Sequence, residues 1–138
     1  MPLFHLESIT AGGDCAVLRV TGEVDLFTAP QLRERVIHLL ADGIRHVIAD
    51  LSDVEFMDST GLGALVGSLK RLRVDGGSLT LVTGAEAVLH LLRITGLVNV
   101  FTLHASVPEA IAASPPWQAA LAREGCDSEE WCRKNDLE

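Results

Sequence analysis

The sequence predicts an α/β fold, a mixed central β-sheet opened by an N-terminal hairpin and packed with about four helices. Three observations carry this. β-Friendly residues flank a glycine turn at the start of the chain; apolar residues then recur at helical spacing in separate segments; and short apolar runs between those segments suit strands buried on both faces. The order strand, helix, strand, helix, strand, helix after a hairpin gives a sheet that is mixed, because hairpin strands are antiparallel and strands joined through helices are parallel. The chain has 138 residues, 48% hydrophobic and 22% charged, the composition of a compact soluble globule that needs no disulfide.

From Leu3 to Thr21 the flanks Phe4, Leu6, Ile9 and Val17, Leu18, Val20 surround Ala11-Gly12-Gly13-Asp14 and read as two strands. A polar stretch, Glu23 to Phe27, follows Thr21-Gly22, and Pro30 stands where a first helical turn accepts proline. Leu32, Val36, Leu39 and Leu40 then hold helical spacing until Asp42-Gly43. Ile44 to Leu51 contains Val47-Ile48-Ala49 and predicts a buried strand. A second helix is expected from near Ser59, since Leu62, Leu65, Val66, Leu69 and Leu72 repeat on one side with Lys70, Arg71 and Arg73 between them, and Gly76-Gly77 ends it. Leu79 to Val82 predicts a strand, Ala85 to Ile94 a helix with Val88, Leu91 and Leu92 inward, and Val98 to Leu103 a last strand.

A short helix from Pro108 to Ala113 is broken at Ser114-Pro115-Pro116. This divides the chain into a domain over residues 1–114 and an acidic extension over residues 115–138. The extension holds both tryptophans, Trp117 and Trp131, and two cysteines, Cys126 and Cys132. It reads either as a partly ordered tail or as a helix, Trp117 to Glu124, docked on the domain or on a partner. Cys126 and Cys132 raise the idea of a redox-sensing pair. With Cys15 the cysteines number three and lack C-x-x-C spacing, which argues for free thiols in a reducing compartment.

A formal charge of −8 has the wrong sign for gripping phosphate backbones, so direct nucleic-acid binding is not expected. No apolar run approaches a membrane span, and Met1 to Glu7 lacks the pattern of an export signal. A cytoplasmic protein without a membrane partner is expected.

Catalytic motifs are sought and not found. His5, His38, His46, His90 and His104 are scattered without metal-ligand spacing. Around Ser59 the chain reads Met57-Asp58-Ser59-Thr60-Gly61, which fails the G-x-S-x-G elbow, and no G-x-x-x-x-G-K cradles a phosphate. Asp25, Asp50 and Asp58 fall near strand ends, where three acids could bind Mg²⁺, but no lysine or phosphate loop accompanies them. No enzyme, metal or cofactor is called for. What stands out is Phe56-Met57-Asp58-Ser59-Thr60-Gly61-Leu62-Gly63, after a strand and opening a helix. Ser, Thr and Asp cap helix N-termini, and a phosphate on a hydroxyl there meets the positive end of the helix dipole.

Three pieces of the chain resemble the STAS-domain anti-sigma factor antagonists of bacteria. They are Thr21-Gly22-Glu23-Val24-Asp25 followed by Thr28-Ala29-Pro30, then Val54 to Gly63 with its D-S-T-G, and finally Ile94-Thr95-Gly96-Leu97. With the element order they cover residues 3 to about 113. The resemblance implies a STAS fold and a non-enzymatic partner switch in transcription regulation and stress response. Such a protein binds an ATP-dependent anti-sigma factor serine kinase, releasing a sigma factor, and is switched off by phosphorylation and reset by a phosphatase. By the same match Ser59 is the phosphorylated residue, with Thr60 its nearest competitor. Asp25, Asp58, Thr60 and Gly61 fall to partner or nucleotide contact. Whether the chain also forms a homodimer stays open. The alternative keeps the fold as a phosphorylation-independent scaffold or ligand-sensing module in a stress-signalling assembly.

Overall fold

Gly12 and Gly13 have φ of 62° and 86°, a region costly for residues with a Cβ. They turn the chain between β1 (His5–Ala11) and β2 (Cys15–Val24). The structure, a computed structural model, describes residues 3–138; Met1 and Pro2, part of the stretch read for an export signal, lie outside the described residues. The remaining elements are α1 (Ala29–Ala41), β3 (His46–Met57), α2 (Ser59–Val74), β4 (Ser78–Val82), α3 (Glu86–Ile94), β5 (Thr102–His104), α4 (Val107–Ala112), α5 (Pro115–Glu124) and α6 (Ser128–Lys134). The sheet has five strands in the order β1-β2-β3-β4-β5. β1 and β2 pair antiparallel; the later pairs are parallel, as strands joined through helices must be.

Two strands outrun the lengths their hydrophobic patterns predict. β2 continues through Thr21-Gly22-Glu23 to Val24, and β3 runs past Leu51 to Met57. The β2–β3 register shifts twice, between Arg19 and Thr21 and between Gly22 and Glu23. Each shift puts extra β3 residues opposite β2. After Leu51 the buried positions of β3 are therefore Val54 and Met57, three apart, and a search for alternation misses them. β5 is shorter than the stretch from Val98 to Leu103, because Val98 and Val100 are spent in the turn that leaves α3.

Each face of the sheet carries its own apolar layer. On the first, Leu18, Val20, Val47, Ala49 and Leu81 pack with Leu32 and Val36 of α1, Leu65 and Leu69 of α2, and Val88 and Leu92 of α3. On the second, Val17, Ile48 and Val82 pack with Ile111 of α4, Trp117 and Leu121 of α5, and Trp131 of α6. Among the described residues four helices thus precede Ser114 and two more follow, where a partly ordered tail or a single helix was expected. Ser114-Pro115-Pro116 ends α4 and also begins α5: Ser114 Oγ accepts from Trp117 N–H, and prolines suit a first turn that has no intrahelical donors to lose.

Helix α5 is clamped to the hairpin tip. Arg123 donates to Gly12 O at 3.1 and 3.0 Å and pairs with Asp14 at 2.7 Å, while Gly12 N–H donates to Glu124 Oε2 at 2.7 Å. A Cβ on Gly12 would stand 2.5 Å from that of Ala120, so this glycine serves close packing as well as the turn.

Cys15 and Cys132 are buried between the sheet and this second layer. Burial pushes the Cys15 thiol up to about 12, with Asp14 adding, and the Cys132 thiol up to about 11, with Glu138 adding. The thiolate is the reactive form, so Cys132 is a poor member of a redox pair with Cys126. At pH 8 a thiol reagent is expected to modify Cys126 alone in the folded chain and all three cysteines in urea. Above the ordinary thiol value of 9.0 the unfolded chain releases protons that the folded chain retains. Stability is therefore full below that pH and falls as pH rises toward the folded values, measured as a lower urea midpoint at pH 10 than at pH 8.

Candidate functional site

Two of the three segments singled out by sequence, Thr21 to Pro30 and Val54 to Gly63, meet where β2 and β3 end, at the carboxyl ends of parallel strands. The last rung pairs Val24 with Met57, and Asp58 N–H donates to Val24 O at 3.2 Å. The Asp25 loop and the start of α2 therefore leave neighbouring strands side by side.

Asp25 organises its loop. Its Oδ1 accepts from Phe27 N–H at 2.9 Å and Thr28 N–H at 3.1 Å, while the Thr28 hydroxyl donates to Glu23 O at 2.8 Å. Thr28 Oγ1 in turn accepts from Asp25 N–H at 2.9 Å, and Asp25 O takes the N–H of Ala29. This is an Asx-turn feeding α1, and it holds Leu26 and Phe27 out in solvent, 63% and 82% exposed. Phe56, at the end of β3, is 47% exposed.

At α2 the cap is Asp58, in extended conformation, whose Oδ1 accepts from Gly61 N–H at 3.0 Å. Serine was an equally good cap by residue type, and the structure leaves that role to its neighbour. Ser59 is exposed and Thr60 half-buried, and neither hydroxyl has a hydrogen-bond partner among the described residues. Gly61 is buried; a Cβ there would stand 2.6 Å from Val24 O and 2.9 Å from Met57 Cγ. It thus lets the first turn of α2 sit directly on the end of β2. Gly61→Ala is expected to cost roughly 1–3 kcal/mol, because backbone on the β2 side must move. Gly63→Ala, with nothing within 4 Å of its Cβ, should gain roughly 1 kcal/mol from helix propensity. Urea midpoints of the two variants moving in the same direction would contradict this.

The third motif also has a local cause. Thr95 Oγ1 donates to Leu91 O, Gly96 takes a φ of 73°, and the N–H groups of Leu97 and Val98 return to Leu92 O, closing α3. Asp50 does not join Asp25 and Asp58. It is buried, accepting from Ser52 Oγ at 2.6 Å with Arg19 Nε at 3.9 Å. Among the described residues no group of three metal-ligating side chains forms, and no helix is long and apolar enough to cross a membrane. Sequence reasoning read Leu26 and Phe27 only as part of a polar stretch and gave Phe56 no role of its own; that all three are exposed apolar side chains near this end of the sheet is seen only in the fold.

The STAS domain family model matches residues 8–110. An anti-sigma-B factor antagonist of Bacillus subtilis is 41% identical over 88 residues, 64% of this chain and 80% of the relative. The crystal structure of an anti-sigma factor antagonist from Mycobacterium paratuberculosis superposes with a TM-score of 0.73 at 29% identity, covering 80% of this chain and 93% of that one. The phosphorylated form of the Bacillus cell fate determinant SpoIIAA superposes with a TM-score of 0.62 at 25% identity, covering 80% of this chain and 97% of that one. Helices α5 and α6 lie outside the residues matched by the family model. Sequence, sheet topology and these likenesses agree: the chain belongs to the STAS-domain anti-sigma factor antagonist family.

Proposed function

We propose that this chain binds an anti-sigma factor of the serine-kinase type through the surface around Ser59, so releasing a sigma factor, and that phosphorylation of Ser59 ends the contact until a phosphatase restores it. As a member of its family the chain is a regulatory and non-enzymatic protein. It is then the substrate of phosphoryl transfer, and base and Mg²⁺ come from the kinase.

The observation that carries the reading is the division of labour at the start of α2. Asp58 does the capping, which leaves the Ser59 hydroxyl exposed and unengaged at the positive end of a sixteen-residue helix. Thr60, half-buried, is the poorer acceptor. Exposed Leu26, Phe27 and Phe56 at the same end of the sheet supply apolar surface for a partner, and Asp25 holds their loop. Asp58 and Gly61 then shape the contact, the first as cap and the second as the close approach to β2. That a relative exists in a phosphorylated form supports the same reading.

The test is phosphate transfer from radiolabelled ATP by purified anti-sigma-B factor of Bacillus subtilis, the protein antagonised by the 41% identical relative. The wild-type chain and Thr60→Ala should take up label and Ser59→Ala should not. Label persisting on Ser59→Ala, or none on the wild type, overturns the assignment.

A further inference from the structure

The charge on this molecule is unevenly committed. Of its 11 cationic side chains, Arg19, Arg93, Arg123, Arg133 and Lys134 are in ion pairs, Arg35 donates to Ser8 Oγ, and Arg45 to the carbonyls of Leu40 and Ile44. The four without a polar partner among the described residues are Arg33, Lys70, Arg71 and Arg73, so three of the four fall within one stretch of α2. All three are exposed, and α2 carries no acidic residue from Ser59 to Val74.

Helix geometry relates this cluster to Ser59. At about 100° per residue, Lys70 lies about 20° and Arg73 about 40° from the direction of Ser59, whereas Arg71 stands about 120° round the helix. The rise of about 1.5 Å per residue puts Lys70 and Arg73 about 16 and 21 Å along it. Between them this face offers exposed Gly63 and half-buried Val66 and Gly67, so no long side chain interrupts it. Val74, 85% exposed, continues it beyond the cations. Attraction to the helix dipole favours Arg71 and Arg73 in the last turn but does not account for Lys70, which lies before it.

Resting on the reading of Ser59 given above, we infer that the exposed face of α2 is one continuous partner surface, whose far end, Lys70 and Arg73, receives an acidic surface of the same anti-sigma factor that meets Ser59. Charge complementarity points to a protein carboxylate cluster. A chain of net charge −8 repels an acidic partner overall, so the clustered uncompensated cations on this face bias the orientation in which the two approach. Ser59 and the basic end then act as two separate fixings on one helix, the first switched by phosphate and the second constant.

The experiment titrates purified anti-sigma-B factor of Bacillus subtilis, a DNA duplex and phosphatidylglycerol vesicles against the wild-type chain, Lys70→Gln/Arg73→Gln, and Arg71→Gln as the flank control. At low salt the double variant should bind the anti-sigma factor at least about tenfold more weakly than wild type, the gap narrowing as salt is raised, while Arg71→Gln changes affinity by less than about threefold. Unchanged melting temperatures exclude a folding effect. Equal binding by wild type and double variant overturns this inference and leaves the reading of Ser59 standing. No binding by wild type overturns that reading and the inference with it. Binding of DNA or vesicles that the double variant loses, with anti-sigma binding intact, overturns the acidic protein partner in favour of those polyanions.

Discussion

Ser59→Asp is expected to lower affinity for anti-sigma-B factor at least about tenfold, about 1.4 kcal/mol, with a melting temperature equal to or slightly above that of wild type. The two halves of this result have different causes. Position 59 is the first residue of α2, and its hydroxyl caps nothing, since Asp58 already accepts the Gly61 N–H. A carboxylate at that end meets the positive pole of the helix dipole, which favours it by about 0.3–1 kcal/mol. In a complex the same charge must lose water against a partner that previously met a hydroxyl, and one charge left unpaired at an interface costs several kcal/mol. Phosphate, with about −1.5 to −2 charge, should act more strongly still. Titration calorimetry and a thermal scan on the same samples check both halves. A large drop in melting temperature would mean that Ser59 serves the fold, and equal affinity would favour the phosphorylation-independent scaffold.

Trp117→Ala is expected to be the most damaging single substitution outside the site, costing about 3–5 kcal/mol, as truncation of a buried aromatic does. For a chain of this size that corresponds to a fall of roughly 10–20 °C in melting temperature. Trp117 is 1% exposed and meets Trp131 edge-to-face with ring centroids 5.3 Å apart, so its loss opens the contact between α5 and α6 and the cover over Val17 and Ile48. Its indole N–H is buried without a hydrogen-bond partner among the described residues. Trp117→Phe should therefore lose less than half as much, because it keeps an aromatic ring and removes a donor whose burial costs about 1–3 kcal/mol. We propose on the same grounds that residues 115–138 unfold together with residues 1–114. Both tryptophans lie in the later segment, so their emission in the wild-type chain reports on it alone. Emission and far-ultraviolet circular dichroism should give one coincident urea transition. An earlier transition by emission would make the segment a separable appendage.

The sequence by itself determined the element order as far as α4, the positions of α1, α2 and α3, the hairpin, and the segment around Ser59. Those signals are local. Helical periodicity, a proline near the start of α1 and glycines after Ala41, Val74 and Ile94 act on their own neighbours, so they can be read without knowing what packs where. The tertiary structure decided whatever depends on a distant partner. The ends of β2 and β3 are strands because they pair with each other: the register shifts scramble the alternation of β3, while β2 keeps its alternation but runs through Gly22 and Glu23, which read locally as a polar turn. Residues 115–138 hold few apolar side chains for their length, yet Trp117, Leu121 and Trp131 become core because the second face of the sheet stands open beneath them. Asp58 rather than Ser59 became the cap because the Asp58 N–H is tied to Val24 O, setting the cap backbone from outside the helix. Gly61 was given only a contact role by the resemblance, and its packing role, with Val24 O 2.6 Å from the missing Cβ, is set by β2. In each case the deciding contact joins residues far apart in the chain, and the free energy of such a contact exists only after the chain has folded.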